Sequence, residues 1–425
     1  MTKYLTLYKE YNLHIFFEKL LTITIFLFIF SIPFNPQLGK FLINQMFYFW
    51  ILSLQINTFF TLLKKSMLLK SLTLLMVYIY SSFLWSEEPL YNVNYIGMSL
   101  KFWFTPIVIL VSSMKQQYIK YYISTFLFAM FINEIISYGM FFDLFHEKIF
   151  NFELTGSQYD PIPFQTSHME YSVYISFTIF ILLYSLFHKK WDIKSALYIL
   201  FSLTMITNLF LSAGRSGQFT FLITSTLLIF IYFKDKLKYI FGSFLTLSLT
   251  FVIAYYASNT FHNRINYAKS DIEKAITEAN YNTSFGVRIS SYVLITKIIK
   301  EVPLISGVGF NDTNKVIHEL HMQYFSHFPT FSHQQGHLHN TYLTMFTALG
   351  VLGLFLLLYI FYQILTLKIE EQFVNYIRYV FIFTIFFAGF TENMFREKEI
   401  MLLFATFFSI ILAQVTFENK KEITL

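Results

Sequence analysis

Long apolar segments recur along almost the whole chain, separated by shorter polar ones. A membrane-spanning helix needs about 20 consecutive apolar residues, and about twelve segments meet that requirement. Runs of this length favour helices over a barrel, whose strands would show shorter segments of alternating polarity. The pattern predicts an all-α polytopic membrane protein with about twelve transmembrane helices. The predicted spans are centred near Leu27, Trp50, Met76, Ile107, Leu127, Phe177, Leu200, Ile223, Thr246, Phe355, Ile382 and Phe407.

The longest polar segment, residues 258–340, lies between the ninth and tenth predicted spans. Apolar residues recur there at three- and four-residue spacing from Ile265, and again over Ile289 to Val302, which predicts two amphipathic helices. Gly307 and Gly309 predict a turn before a histidine-rich loop. We expect the functional residues of the protein to lie mainly in or next to this segment.

Three regions are therefore predicted along the chain. Residues 1–257 form a transmembrane bundle of nine spans, residues 258–340 form a large helical loop, and residues 341–425 form the last three spans and a tail. A second polar segment, Gly139 to His168, contains Gly156 and two prolines, and we expect it to be an irregular loop on the membrane surface.

Lysines mark one side of the membrane. The loops that follow alternate spans are lysine-rich, while the opposite loops are acidic or lack lysine, so the positive-inside rule places the lysine-rich loops and both termini in the cytoplasm. The long polar segment then lies on the outer side. The lysines concerned are Lys64, Lys65, Lys70, Lys115, Lys120, Lys189, Lys190, Lys194, Lys234, Lys236 and Lys238, with Lys420 and Lys421 in the tail.

Composition excludes several classes of protein. Only 13% of residues are charged and 55% are hydrophobic, which is too little charge for a soluble surface. The net charge of +6 comes from lysines scattered over short loops, so no nucleic-acid partner is expected. The chain has no cysteine, which excludes a cysteine nucleophile and thiolate metal ligands.

Two arginines on the outer side are candidates for anion binding. Arg215 lies in Leu-Ser-Ala-Gly-Arg-Ser-Gly, between the seventh and eighth spans, and Arg288 follows Phe-Gly-Val. A guanidinium keeps its charge and its planar fork matches phosphate oxygens. The glycines Gly214 and Gly217 would let the backbone approach a large headgroup. The alternative for both arginines is an interfacial side chain that snorkels to water.

His339, directly before the tenth span, is a candidate general base because histidine accepts a proton near neutral pH. The alternative is a solvated interfacial histidine. Six histidines over residues 318–339 also suggest a metal site, with His337 and His339 the closest pair. We expect none, because the segment lacks a His-Glu-x-x-His spacing and residues two apart diverge on a helix.

Other polar residues at membrane depth are expected to support the site. Lys101 and Glu134 should form an ion pair, since each would be costly alone. The cluster of Glu392, Asn393 and Arg396 should contact a sugar or, through Glu392, pair with Arg215 or Arg288. The remaining candidates for substrate binding are His168, His337 and Asn340.

Three motifs together resemble the O-antigen ligase and polymerase superfamily of bacterial envelope glycosyltransferases. They are Leu-Ser-Ala-Gly-Arg215-Ser-Gly, then Val-Arg288-Ile-Ser-Ser-Tyr running into Pro-Leu-Ile-Ser-Gly-Val-Gly-Phe-Asn-Asp, then His339-Asn-Thr-Tyr-Leu followed by Leu-Gly-Val-Leu-Gly-Leu. The resemblance covers roughly residues 201–355. The family commonly has serine before the first arginine, where Gly214 stands here, so no role is assigned to a serine.

The resemblance implies a reaction and a location. Family members transfer a glycan from undecaprenyl diphosphate to a sugar hydroxyl at the periplasmic face of the inner membrane, without metal or cofactor. Arg215, Arg288 and His339 occupy the functional positions of the family. We favour a ligase, whose acceptor is a lipid A-core sugar, over a polymerase, which joins two lipid-linked glycans. A protein-targeted oligosaccharyltransferase is disfavoured because no large extra domain follows the last span.

A transporter or flippase of lipid-linked oligosaccharides is the alternative from a different class. It would have a similar number of spans, and it would place charge along the interior of the bundle. The candidate residues of this chain gather instead on one side of the membrane, which favours an enzyme.

Overall fold

The computed structural model describes residues 12–88, 97–146, 148–149, 152–164, 166–188, 192–325 and 337–424. Over these ranges the chain is almost entirely helical, with short 3₁₀ turns at Ser82–Leu84 and Gln116–Tyr118 and a π-helical turn at Ser99–Phe104. The α-helices are α1 (Leu13–Ser31), α2 (Pro36–Leu52), α3 (Ile56–Lys65), α4 (Met67–Ser81), α5 (Thr105–Ser113), α6 (Ile119–Phe141), α7 (His168–His188), α8 (Ile193–Leu211), α9 (Arg215–Phe233), α10 (Leu237–Ala257), α11 (Asn259–Thr277), α12 (Gly286–Glu301), α13 (Thr313–Phe325), α14 (Thr341–Thr366), α15 (Gln372–Ala388) and α16 (Lys398–Thr424).

All twelve predicted span centres lie in helices, but fewer helices are long enough to cross a membrane. In the described ranges, eight helices have the length and apolar composition of a span. A ninth is obtained if α2 and α3, which meet at a bend of 92°, count as one broken span. Ser99–Ser113 and α15 are apolar but shorter. The all-α, multi-pass architecture is confirmed, and the count of twelve spans is not.

Helix α16 is the centre of the bundle. Its apolar window is 83% buried inside the protein, whereas that of α10 is 11% buried although both are strongly apolar. Helix α16 packs against α5 and α15, and α7 packs against α8, α9 and α15. Aromatic rings fill the centre, where Phe407 meets Phe126 and Phe177 edge to face. Such packing holds membrane helices together because lipid is as apolar as the side chains.

The predicted ion pair between Lys101 and Glu134 is wrong. Both residues lie in the described part of the chain, and no ion pair joins them there. Lys101 is on the π-helical turn, which packs against α5 and α16, whereas Glu134 is on α6, which packs against α1, α7 and α8. Hydropathy places two residues at one depth, but it does not say which helices are neighbours.

The segment before α7 contains a small hairpin that the sequence did not predict. Strands β1 (Lys148–Ile149) and β2 (Phe152–Glu153) pair antiparallel, with Ile149 opposite Phe152. The other described residues between α6 and α7 are irregular, as expected, apart from an isolated bridge between Ser157 and Asp160. Its Asp160 accepts a hydrogen bond of 2.8 Å from the backbone N–H of Ala213, so the segment is anchored to the α8–α9 connection.

The described residues of the long polar segment, 258–325 and 337–340, form three helices rather than the two predicted. Helices α11 and α12 cover the two predicted amphipathic stretches, and α13 is additional. Helix α13 buries Ile317, Leu320 and Phe325 at helical spacing, a signal hidden by the histidines among them. These residues form a second core with Leu294 and Ile298 of α12. The predicted histidine-rich loop is therefore partly a helix, and His327 and His333 lie outside the described residues.

A break in α14 lets this outer layer join the bundle. Gly350 has φ 65° and ψ −163°, a conformation that glycine alone adopts readily. The backbone N–H of Val351 donates to the Leu304 carbonyl at 2.8 Å, and that of Gly309 donates to the Ala348 carbonyl at 2.9 Å. Irregular backbone within an apolar helix must find such partners inside the protein. The break therefore couples α14 to the turn at residues 304–309.

We expect Gly350→Ala to destabilise the protein by about 2 kcal/mol or more, because the substitution adds backbone strain and overpacking. An added Cβ would lie 2.2 Å from the Ile305 carbonyl oxygen. The measurement is the apparent melting temperature of the purified protein in detergent.

Gly242→Ala is the matched control. Gly242 lies within α10, and a Cβ there would meet nothing within 4 Å. It should leave the melting temperature unchanged or raise it slightly, since alanine favours helix over glycine by up to about 1 kcal/mol. Equal melting temperatures for the two variants would show that the break at Gly350 carries no strain.

Candidate functional site

Five elements distant in sequence meet at one end of the bundle. They are the starts of α7 and α9, the start of α12, residues 337–340 before α14, and the connection between α15 and α16. Arg288 on α12 reaches two of them, because its Nη2 lies 3.7 Å from the sulfur of Met169 on α7 and its Nε donates to the Thr391 carbonyl at 3.4 Å. The predicted site residues belong to these five elements.

A buried carboxylate joins two of the three principal candidates. Glu392 Oε1 accepts a hydrogen bond of 2.8 Å from Nη2 of Arg288, and Oε2 lies 3.1 Å from Nδ1 of His339. The exposed fractions of the three side chains are 9% for Glu392, 21% for Arg288 and 16% for His339. Of the two arginine partners that the sequence left open for Glu392, the structure selects Arg288. Charged partners in a dry site hydrogen-bond strongly and fix one another's orientation.

This contact assigns the tautomer of His339. An ionised carboxylate can only accept hydrogen bonds, so Nδ1 of His339 carries the proton that is donated to Glu392. In the neutral ring, Nε2 then holds the free lone pair. A histidine oriented by a carboxylate through Nδ1 is the arrangement of a general base.

The electrostatics keep Glu392 ionised. Burial by itself would raise the pKa of Glu392, but the hydrogen bond and charge of His339 and the charge of Arg288 outweigh it and lower the pKa below the usual range. Burial, with the charges of His339, Arg396, His321 and Arg288, lowers the pKa of the neighbouring His337 to about 2. The His337 ring lies 4.5 Å from the His339 ring. His337 therefore stays neutral beside the proposed base.

Asn340, predicted to bind substrate, has its polar atoms engaged within the protein. Its Oδ1 caps α14 by accepting from the backbone N–H groups of Tyr342 and Leu343, and its Nδ2 donates to the Tyr292 hydroxyl at 2.9 Å. The next residue, Thr341, donates its hydroxyl to the Glu392 carbonyl at 2.8 Å and accepts from the N–H of Met394. These bonds fix the backbone of His339 against the backbone of Glu392.

Arg215 is the first residue of α9, and its side chain is suited to bind an anion. Its Nη1 is buried and has no hydrogen-bond partner among the described residues. A buried guanidinium nitrogen without an acceptor is costly, and a phosphate oxygen would remove that cost. Two other arginines, Arg264 and Arg288, exert their charge on Arg215, and Asp271 opposes them. Arg264 on α11 was missed by the sequence analysis; it occupies the inward face of the amphipathic helix, three residues after the buried Phe261.

The glycines beside Arg215 serve helix packing rather than headgroup approach. A Cβ on Gly214 would lie 2.3 Å from the His168 carbonyl oxygen, and one on Gly217 would lie 2.1 Å from the Ser172 carbonyl oxygen. The backbone N–H of Gly217 donates to the Ser172 hydroxyl at 3.0 Å. Small residues allow this close approach of α9 to α7. The glycines therefore set the position of Arg215 relative to α7.

The remaining candidates lie at the edge of the site. His168 is 43% exposed and its Nδ1 lies 3.9 Å from Asp160, the residue that anchors the α8–α9 connection. Arg396 is half-buried and exerts its charge on His337 and Glu397. The structure thus brings Arg288, His339 and Glu392 into direct contact and places Arg215, His337 and Arg396 around them, while Asn340 belongs to the supporting framework.

Fold and site together define a multi-pass membrane protein with a basic, histidine-containing site at one end of its helical bundle. A family model described as O-antigen ligase matches residues 200–358, which include α9 to α13, Arg215, Arg288 and His339. Residues 200–358 therefore carry the domain of the O-antigen ligase superfamily, and the resemblance drawn from the motifs is confirmed. Comparison with curated proteins gave no match. This matched domain implies an enzyme activity of the membrane glycosyltransferase kind.

Proposed function

We propose that the protein is an O-antigen ligase, which transfers a glycan from undecaprenyl diphosphate to a sugar hydroxyl of a lipid A-core acceptor. The observation that carries this proposal is the hydrogen-bonded chain from Arg288 through Glu392 to His339, together with the buried Nη1 of Arg215, which has no hydrogen-bond partner in the described part of the chain. Together, these groups supply a general base, His339, and an anion-binding group, Arg215, at the same end of the bundle. The alternative transporter function would need charge along the bundle interior, whereas these groups gather at one end.

The diphosphate of the donor is proposed to bind at Arg215. Its buried Nη1 has no acceptor among the described residues, and Arg264 and Arg288 add to the positive potential there. Positive groups fixed where negative charge develops stabilise the departing diphosphate. Arg288 contributes its charge, but its Nε, Nη1 and Nη2 already donate to Thr391, Ser284 and Glu392, so its second task is to hold Glu392 in place.

The acceptor hydroxyl is proposed to approach Nε2 of His339. As its oxygen bonds to the anomeric carbon, its proton passes to Nε2, and the bond from that carbon to the phosphate oxygen breaks. Undecaprenyl diphosphate leaves with the bonding electron pair, and the configuration at the anomeric carbon inverts. Glu392 stabilises the imidazolium through Nδ1, and no step passes through a metal or cofactor. His337, His168 and Arg396, at the edge of the site, are proposed to contact the sugars.

We further propose that this end of the bundle faces the periplasm and that both termini are cytoplasmic, in a bacterial inner membrane. The alternation of lysine-rich and lysine-poor loops supports this orientation. The lipid tails of donor and acceptor would then reach the site from the membrane, between helices.

The first expected outcome concerns the site residues. His339→Gln and Glu392→Gln should lower the rate of transfer by about 10² to 10⁴, because each removes the general base or its orientation. Arg215→Lys should retain part of the activity. Arg288→Lys should lose nearly all of it, since the single nitrogen of a lysine cannot reach the three acceptors that three separate guanidinium nitrogens reach. The measurement is transfer by the purified variants in detergent.

His146→Gln is the matched control, since His146 is 70% exposed and pairs only with Asp143 among the described residues. It should transfer at the wild-type rate. Wild-type activity of His339→Gln would rule out the proposed base, and a fully active Arg288→Lys would rule out its role in holding Glu392.

The second expected outcome concerns orientation. The chain has no cysteine, so single cysteines can be introduced without removing others. A cysteine at the exposed Thr277 on α11 should react with an impermeant thiol reagent in intact spheroplasts, and one at the exposed Asp235 between α9 and α10 should react only after lysis. Labelling in the reverse pattern would place the site in the cytoplasm.

The third expected outcome separates a ligase from a polymerase. Deletion of a ligase should leave core-only lipopolysaccharide while long lipid-linked glycan accumulates, because the glycan is completed before its transfer. Deletion of a polymerase should leave lipopolysaccharide with a single repeat unit. The measurement is the electrophoretic pattern of lipopolysaccharide from the deletion strain. If the deletion strain makes single-repeat lipopolysaccharide, the protein is a polymerase and not a ligase. The roles proposed for Arg215, Arg288 and His339 would still apply.

A further inference from the structure

A polar cavity lies at the end of the bundle opposite to the candidate site. Its volume is about 700 Å³, and residues of α3, α4, α14 and α16 line it. Helix α14 begins at Thr341, beside the site, and contributes its last residue, Thr366, to the cavity. Helix α16 begins after the connection that carries Glu392 and contributes Asn419, near its end. The volume is within the range of small-molecule sites, about 300 to 1,000 Å³.

The charged residues that line the cavity are lysines. Lys65 is the last residue of α3 and Lys368 follows α14 by two residues, and neither forms an ion pair with a carboxylate of the described residues. No acidic residue in the described part of the chain lines the cavity. Glu418 of α16 is engaged elsewhere, because its carboxylate accepts from the backbone N–H groups of Glu370 and Glu371. Two lysines without a counter-charge favour an anion in the cavity.

The start of α4 adds hydrogen-bond donors beside Lys65. Ser66, Met67 and Leu68 line the cavity, and the Ser66 hydroxyl caps the helix by accepting from the backbone N–H of Leu69 at 3.2 Å. The first N–H groups of a helix have no partner within it, and with the helix dipole they attract phosphate. The helix start and the lysine before it therefore favour the same kind of anion.

A buried amide oxygen indicates a second group on the ligand. Gln363 lines the cavity, and its Nε2 donates to the Ser71 hydroxyl at 2.9 Å, while that hydroxyl donates to the Met67 carbonyl at 3.0 Å. These bonds fix the orientation of the amide, since a hydroxyl has one hydrogen to donate. Oε1 of Gln363 is buried and has no hydrogen-bond partner among the described residues. A hydroxyl of the ligand would supply the missing donor.

The surroundings of the cavity favour a lipid over a soluble anion. Met67 and Tyr362 line it and are 58% and 61% exposed, and Leu412 and Val415 contribute apolar wall. Helix α3 meets α2 at 92° and is amphipathic, which is typical of a helix that lies along the membrane surface. A phospholipid would place its phosphate at the lysines and its first methylenes against these apolar side chains, which a soluble phosphate would leave uncovered.

We propose that this cavity binds the headgroup of an anionic phospholipid of the phosphatidylglycerol type, in the leaflet opposite to the candidate site. The phosphate lies between Lys65 and Lys368 at the start of α4, and a headgroup hydroxyl donates to Oε1 of Gln363. In the orientation proposed above this is the cytoplasmic leaflet, where basic pockets between spans bind anionic headgroups. The lipid holds α3 against the ends of α14 and α16, so its test does not depend on which glycan reaction the protein catalyses.

The experiment is titration of the purified full-length protein in neutral detergent with dioleoyl phosphatidylglycerol, followed by native mass spectrometry. One lipid per chain should bind about tenfold or more tightly than the zwitterionic dioleoyl phosphatidylcholine. Lys65→Gln and Lys368→Gln should each weaken binding about fivefold, the effect of one lysine at an anionic membrane surface, and the double variant should weaken it about 25-fold.

Lys64→Gln is the matched control, because Lys64 is exposed on the same helix and does not line the cavity. It should bind the lipid as the wild type does. Equal binding of the two lipids by the wild type, or wild-type binding by the double variant, would overturn the proposal. Displacement of the lipid by equimolar glycerol 3-phosphate would show a site for a soluble phosphate instead.

Dioleoyl phosphatidylmethanol tests the hydroxyl contact, since it has the same charge as phosphatidylglycerol and no headgroup hydroxyl. The wild type should bind it several-fold more weakly than phosphatidylglycerol. Gln363→Met, which removes the amide at similar volume, should bind the two lipids equally while keeping the wild-type melting temperature within a few degrees. A wild type that binds both lipids equally would overturn the role of Gln363.

Discussion

The carboxylate of Glu392 is the contact on which the site depends. It is buried, and it stays ionised because Arg288 and His339 approach it from two separate elements. Breaking a buried charged pair leaves an uncompensated charge, so α12, α14 and the α15–α16 connection must be in place together. The proposed base can therefore be oriented only in the assembled bundle.

Two backbone contacts make that assembly possible. Gly214 and Gly217 bring α9 against α7, which places Arg215, and Gly350 breaks α14 so that the turn at residues 304–309 can pair with its backbone. The first contact joins two helices of the bundle, and the second joins the outer layer to α14. Gly214, Gly217 and Gly350 thus serve to position the elements that carry charged residues.

The O-antigen ligase domain matched over residues 200–358 fits the different roles of these parts. The apolar helices provide a rigid frame, and the groups that can act on a substrate lie on helix starts and connections at one end of it. At that end of the bundle, the lipid tail of a substrate can contact the apolar helices while its charged headgroup contacts the polar residues. The grouping of the charged residues at one end is what favours an enzyme over a transporter.

The sequence by itself determined the helical membrane class and the two amphipathic helices, because apolar period and run length are local properties. It also singled out Arg215, Arg288 and His339 as candidates, because an arginine or histidine beside a span is rare enough to notice. It overlooked α13, whose apolar stripe is interrupted by histidines, and it paired Lys101 with Glu134 because depth alone does not define neighbours. Only the tertiary structure decided that Glu392 joins Arg288 to His339, that Arg264 stands near Arg215, and that Lys65 and Lys368 line one cavity. These contacts join residues more than a hundred positions apart or on separate helices, and which helices are neighbours is settled by packing throughout the bundle.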